Sequence, residues 1–252
     1  MYNNLIMTEI FTLWIGNTNP ICRMCMKSWQ KLGYHIVVYT DMNHYDPFLD
    51  QFDKREYRTI LDGNPEDILP FSDLFRYKRL YQQGGIWVDA DMYLLKKIPH
   101  NEYIISSERT AQTGAFKRKI EQIPNIGIMK FPAKCSLLEY VIKKIEKSRS
   151  KSKKVQKNMF VYQDAILKAF PTWLEEVAPA FDYCPVNWSN VKELYLSDKF
   201  TSKYGQKVNQ IDEILENAIG VHMWENLTIK KYKINFDKIH KDSLFRKLSD
   251  LV

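Results

Sequence analysis

The sequence has no apolar run of 18 residues, which excludes a membrane-spanning helix. It has no basic stretch ahead of an apolar one at its start, and no small-residue cleavage site. MYNNLIMTEIFTLWIG therefore reads as the first strand of a fold, not a secretion signal. Cysteine is sparse, limited to Cys22, Cys25, Cys135 and Cys184. Without a secretion signal, reduced thiols in a cytoplasmic protein are expected. Cys22 and Cys25 form a C-x-x-C with no second pair at zinc spacing, so they read as small apolar residues on a helix. Internal repeats and a sharp domain boundary are also lacking. The lysine- and serine-rich stretch 149–158 is the best candidate hinge.

What is present suffices for a globular fold. At 252 residues and 45% hydrophobic content, the chain can bury one large core. The net charge of +7 is unevenly spread. Lys143, Lys144, Lys147, Arg149, Lys151, Lys153, Lys154 and Lys157 crowd one segment. Lys230, Lys231, Lys233, Lys238, Lys241, Arg246 and Lys247 make a second basic region. Basic patches attract polyanions or anionic membrane surfaces, although a solvated helix face has the same composition.

Residues 9–14 form a β-prone apolar segment. Asn19 and Pro20 then suit the N-cap and first position of a helix ending before Gly33. A second strand follows at 35–40, so the chain opens strand–helix–strand, as α/β sheets do. Residues 62–65 read as a loop. A helix is predicted over 71–82 with Ser72 as its cap, closed by Gly84-Gly85. Strands are predicted at 86–89, 92–95, 104–107 and 125–130, and helices at 136–147 and 159–170. An apolar segment spans 219–224. The apolar spacing of Phe236, Ile239, Leu244, Phe245, Leu248 and Leu251 predicts a terminal helix over 236–251.

The most informative stretch is 71–95, FSDLFRYKRLYQQGGIWVDADMYLL. Asp89 and Asp91 follow the apolar run Ile86-Trp87-Val88. Residues i and i+2 of a strand share a face, so two carboxylates at its end make a hard oxygen site. Such a site suits Mn²⁺ or Mg²⁺. Asp73 and Arg76 share a helix face and offer acceptor and donor together, as sugar hydroxyls require; an ordinary ion pair has the same spacing. Trp87 alternates with Asp89.

This assembly resembles the DXD sugar-binding glycosyltransferases of family 32, and more distantly the glucosylating bacterial toxins. Their core is similar to S-D-x-x-R-Y-x-x-L-Y-x-x-G-G-I-Y-x-D-x-D. Here it stands as Ser72, Asp73, Arg76, Tyr77, Leu80, Tyr81, Gly84, Gly85, Ile86, Trp87, Asp89 and Asp91, with only Trp87 departing. Leu13-Trp14-Ile15-Gly16 is similar to the family's opening W-I-G, and Val221-His222-Met223-Trp224 to its late A-H-x-W. Gln163-Asp164 replaces a usual Gly-Pro, and the usual late Ser-Trp is absent.

The resemblance implies a GT-A-type α/β fold: a nucleotide-binding mixed sheet flanked by helices, with extra C-terminal helical elements. It implies one domain over 1–252, with a nucleotide-sugar core in 1–130 and an acceptor side in 131–252. Asp73, Arg76, Asp89 and Asp91 are the implied catalytic residues. Trp14, Trp87, Asn125 and Trp224 join Asp73, Arg76 and Asp89 in donor binding. Asp91, Asp89 and His222 are the implied holders of Mn²⁺ or Mg²⁺. The implied donor is a UDP-hexose or UDP-N-acetylhexosamine, ahead of GDP-mannose. The acceptor is an oligosaccharide, lipid-linked in O-antigen or capsule synthesis, at the inner face of an anionic membrane, with retained anomeric configuration. No nucleic-acid partner is expected. A haloacid-dehalogenase-type phosphatase also uses D-x-D, but on its first strand, where this chain has Leu13-Trp14-Ile15-Gly16. A non-catalytic polyanion-binding module explains the lysines and leaves the motif unexplained.

Overall fold

A computed structural model describes residues 8–63, 68–108, 122–149, 158–202 and 208–252. The chain opens with β1 (Glu9–Leu13), α1 (Pro20–Lys31) and β2 (His35–Thr40). Asn19 caps α1, its Oδ1 accepting from the amides of Ile21 and Cys22, and Pro20 takes the first turn, where no amide donor is needed. An edge strand β3 (Asp53–Glu56) precedes α2 (Ile68–Gln83), β4 (Gly85–Val88), β5 (Met92–Leu94), β6 (Ile104–Glu108) and β7 (Ile123–Phe131). Then come α3 (Ser136–Arg149), α4 (Asn158–Asp164), α5 (Ala180–Tyr183), α6 (Val191–Leu196), α7 (Ile211–Asn217), β8 (Gly220–His222) and α8 (Leu244–Ser249).

Six strands form one mixed sheet in the order β3-β2-β1-β4-β7-β6. β3, β2, β1 and β4 are parallel, while β7 runs antiparallel to β4 and β6. Both faces are apolar, and alternation divides them. Ile10, Ile36, Val38, Ile86, Val88 and Ile128 face α1 and the C-terminal elements. Phe11, Val37, Tyr39, Trp87, Met129 and Phe131 face α2, α3 and α4. The expected mixed sheet flanked by helices is thus observed. No described helix is long and apolar enough to cross a membrane.

The turn from α2 into β4 needs its glycines. Gly84 has φ +66, and a Cβ there would lie 2.7 Å from the Ala133 amide nitrogen. Gly85 has φ +102, with Phe11 Cε1 3.0 Å from where a Cβ would sit.

Several expectations change. α2 starts at Ile68, with Pro70 in its first turn, so Ser72 lies inside the helix and is no cap. β4 stops at Val88, so Asp89 and Asp91 sit on a turn, closed by Met92 N donating to Asp89 O at 2.9 Å. The expected helix over 159–170 is α4 followed by a π turn, Ala165–Ala169. The expected terminal helix is broken in two: a 3₁₀ turn Phe236–Lys238 capped by Asn235, and α8 capped by Ser243. Its apolar side is already covered, since Leu244, Phe245 and Leu248 are buried and Phe236 and Ile239 pack against the same core. That apolar side is packed on the core and is not offered to a membrane. Cys22 and Cys25 are free and fully buried on α1, as apolar packing requires. Burial pushes the Cys22 thiol up to about 12. Most of the candidate hinge, and Lys151, Lys153, Lys154 and Lys157 with it, lies outside the described residues.

Candidate active site

Parallel strands leave their carboxyl ends open for ligands. The residues of interest gather where β4 ends. The turn Asp89-Ala90-Asp91 is carried by β4 on one side and β5 on the other. β5 is held by α1, through Trp29 Nε1 donating to Met92 O at 2.7 Å and Leu94 N donating to Ser28 Oγ at 3.0 Å. β5 also pairs antiparallel with β8, placing Met92 opposite His222. That pairing brings the late segment to the motif.

Asp91 is the centre of the arrangement. Its Oδ2 lies 3.2 Å from His222 Nε2 and accepts from Glu225 N at 2.9 Å. Burial pushes the Asp91 carboxyl up, but His222 and the Glu225 amide outweigh it and leave the group below its usual range. His222 responds in the opposite sense. Burial disfavours the imidazolium, yet the Asp91 charge raises the group well above its ordinary value. His222 stacks on Trp224 with ring centres 4.1 Å apart, and its Nδ1 lies 3.7 Å from Cys184 Sγ. Trp224 Nε1 donates to Val186 O at 3.0 Å.

Asp89 is held differently. Its Oδ1 accepts from Arg76 Nη1 at 2.5 Å and Trp87 Nε1 at 2.7 Å. Burial raises its carboxyl; Arg76 opposes this, and Asp91 adds to it. Arg76 also donates to Ile126 O at 2.8 Å, Ser72 O at 3.4 Å, Ser72 Oγ at 3.2 Å and Asp73 Oδ1 at 3.3 Å. A guanidinium has five N–H donors, and here each has a protein partner. In this structure Arg76 thus ties Asp89 and Asp73 together. Trp87 is likewise 1% exposed and packs against Phe11 and Phe75. It holds Asp89 through its indole N–H and offers no open face to a donor.

Asn125 is also spoken for. Its Oδ1 accepts from Gly127 N at 2.6 Å, and its Nδ2 donates to Glu108 Oε2 at 3.2 Å. Trp14 sits half-buried at the end of β1, and its buried Nε1 has no hydrogen-bond partner. Gln163 is buried and donates to Pro124 O at 2.9 Å.

Two acids escape a reading of the sequence. Glu108 ends β6, and burial raises its carboxyl, opposed by Asn125 and His222. Glu225 follows Trp224, and burial and Asp91 raise its carboxyl, opposed by Lys230 and Asn19. Neither belongs to a spaced motif. Their only sequence signal is that each closes an apolar segment.

The three expected metal holders do not converge. Among the described residues no three His, Cys, Asp or Glu side chains form a metal-ready group. Asp91 and His222 pair, while Arg76 and Trp87 hold Asp89. The chemistry still fits a divalent cation. A carboxylate and an imidazole converge at 3.2 Å, and Asp89 and Glu225 both feel the Asp91 charge. Crowded carboxylates are what a hard cation neutralises.

Residues 19–111 match the family model described as "Glycosyltransferase sugar-binding region containing DXD motif". The match contains Asp73, Arg76, Asp89 and Asp91, so this stretch of the chain is similar to a glycosyltransferase sugar-binding region. Among solved structures, the PaToxG glycosyltransferase aligns at 14% identity and TM-score 0.49, over 68% of this chain and 72% of that one. The galactosyltransferase LgtC, in complex with donor and acceptor sugar analogs, aligns at 11% and 0.38, over 62% and 70%. GlyE of Streptococcus pneumoniae TIGR4 aligns at 15% and 0.37, over 65% of this chain and 43% of that one. At these scores the likenesses carry neither substrate nor partner to this chain. No curated protein matches it in sequence.

Proposed function

We propose that the protein transfers a hexose from a nucleotide-sugar donor to an oligosaccharide acceptor with the help of Mn²⁺ or Mg²⁺. The observation that carries this reading is the Asp91–His222 pair, 3.2 Å apart beside Asp89 at the open end of the sheet. Asp91 and His222 hold the cation. When bound, it supplies positive charge where the departing diphosphate gains negative charge. Asp89 keeps its Oδ2 clear of any described hydrogen-bond donor, while Arg76 and Trp87 fix its Oδ1. It is therefore placed to accept from a ribose or sugar hydroxyl, with Asp73 beside it on α2. Trp14, half-buried at the end of β1, lies against the nucleobase through its ring.

The donor is a UDP-hexose or UDP-N-acetylhexosamine before GDP-mannose, and the α-linked configuration is retained. The acceptor is a lipid-linked oligosaccharide of O-antigen or capsule synthesis, met in the cytoplasm at an anionic membrane face. An open cavity of about 550 Å³ lined by Lys144, Lys147 and Lys168 supports this peripheral contact.

The deciding experiment is hydrolysis of a panel of UDP- and GDP-sugars with and without Mn²⁺. We expect metal-dependent turnover of one UDP-sugar, lost in Asp91→Asn. That substitution keeps shape and the Glu225 hydrogen bond but removes the charge. Turnover that persists in a folded Asp91→Asn protein rejects the assignment.

A further inference from the structure

Asp91 stands on the turn just ahead of β5, where its backbone O accepts from Met223 N at 2.9 Å. The aim of its carboxylate comes from the late segment, and that segment is strained. Trp224 has φ +54, a conformation that bulky residues adopt only where their surroundings fix it. The stack on His222 and the bond to Val186 hold the indole. The next residue makes two bonds in different directions. Glu225 N donates to Asp91 Oδ2 at 2.9 Å, and Glu225 Oε1 accepts from Asn19 Nδ2 at 2.9 Å. Chemistry fixes the Asn19 amide the right way round. Its Oδ1 must face the α1 amides of Ile21 and Cys22, 3.0 and 3.1 Å away, so its Nδ2 must face the carboxylate.

We propose that Asn19 and Glu225 form a latch between the start of α1 and the late segment, which keeps the Glu225 amide on Asp91 and so positions that carboxylate for its cation. The latch rests on the metal-binding reading above. Glu225 is a positioning residue: it sets the direction of Asp91 through its own backbone. Freed from Asn19, its side chain no longer opposes relaxation of Trp224, and the amide leaves Asp91. Asn19 does two jobs, capping a helix and closing the site.

The test is Mn²⁺ affinity, read from the free-ion electron paramagnetic resonance signal, alongside thermal unfolding and donor KM and kcat. Asn19→Asp keeps the helix cap but sets a carboxylate against Glu225. It should weaken Mn²⁺ binding about tenfold, in the range found when outer partners of metal ligands are lost. Glu225→Gln combined with Asn19→Asp exchanges donor and acceptor, remakes the hydrogen bond and should restore affinity to within about threefold of wild type. Glu225→Ala should match Asn19→Asp. A double variant no better than Asn19→Asp overturns the latch. So do variants that bind Mn²⁺ as the wild type does. A wild-type protein that binds no Mn²⁺ removes both the latch and the metal reading, whereas wild-type binding with unaffected variants removes the latch alone.

Discussion

Asp91 and His222 set up opposed pH dependences at a single contact. The folded His222 lies well above its ordinary value, so its contribution to stability is complete below the unfolded value and is lost as pH rises through the folded one. Asp91 is lowered, so its contribution is present above its unfolded value and is lost as pH falls through the folded one. The metal-free protein should therefore lose thermal stability as pH climbs past the raised His222 value. His222→Gln should flatten that slope in melting curves taken across pH. Cation binding requires the neutral imidazole, so Mn²⁺ affinity should rise over the same interval and release a proton. An affinity independent of pH would remove His222 from the cation's shell. Arg76 gives a second test at this scale. Arg76→Lys keeps charge but cannot reach Asp89, Ile126, Ser72 and Asp73 together. We expect a loss of about 2 kcal/mol in unfolding free energy, and a fall in kcat larger than the rise in donor KM, because Asp89 loses its aim.

At the scale of elements, local chemistry made some parts readable and tertiary pairing hid others. Asn19-Pro20 announced α1, and Gly84-Gly85 announced the end of α2. β2 and β4 were visible as continuous apolar runs because both sheet faces are buried. β3, Asp-Lys-Arg-Glu, was not visible. It is an edge strand with no apolar side, and its pairing with β2 is its only reason to be extended. The motif located Asp73, Arg76, Asp89 and Asp91 at one site. It did not reveal that Arg76 and Trp87 are consumed in holding Asp89, because that depends on backbone positions such as Ile126 O, far along the chain. Glu108 and Glu225 were unreadable for the same reason. Gly84→Ala tests the turn. A Cβ there meets backbone at 2.7 Å and φ is +66, so neither neighbour nor residue can yield cheaply. We expect a loss of about 3 kcal/mol in chemical denaturation, well above the usual penalty for a surface change.

Over the whole molecule, charge and apolar surface have separated. The C-terminal apolar residues are packed inside, so the contact proposed with a membrane is electrostatic, at the basic side of α3 and the π turn after α4. Lys144, Lys147 and Lys168 line one cavity there, with Asp164 as the acid among them. Co-sedimentation with anionic vesicles should weaken with salt and fall more than tenfold in Lys144→Glu/Lys168→Glu, since each basic residue contributes about 1 kcal/mol near such a surface. The same variant should hydrolyse soluble donor normally. Vesicle binding unaffected by these changes would place the contact elsewhere.

The pairing of β5 with β8 also orders events in time. A ribosome has released Asp91 long before it makes His222 and Glu225, so the sheet from β1 to β7 can close while the carboxylate still lacks its partners. Nascent chains stopped short of residue 220 should resist protease across the sheet yet leave the Asp89–Asp91 turn open to water. Activity would arrive as a single step once residues 220–225 had been made, and an immature chain could not sequester cation or sugar nucleotide in the meantime.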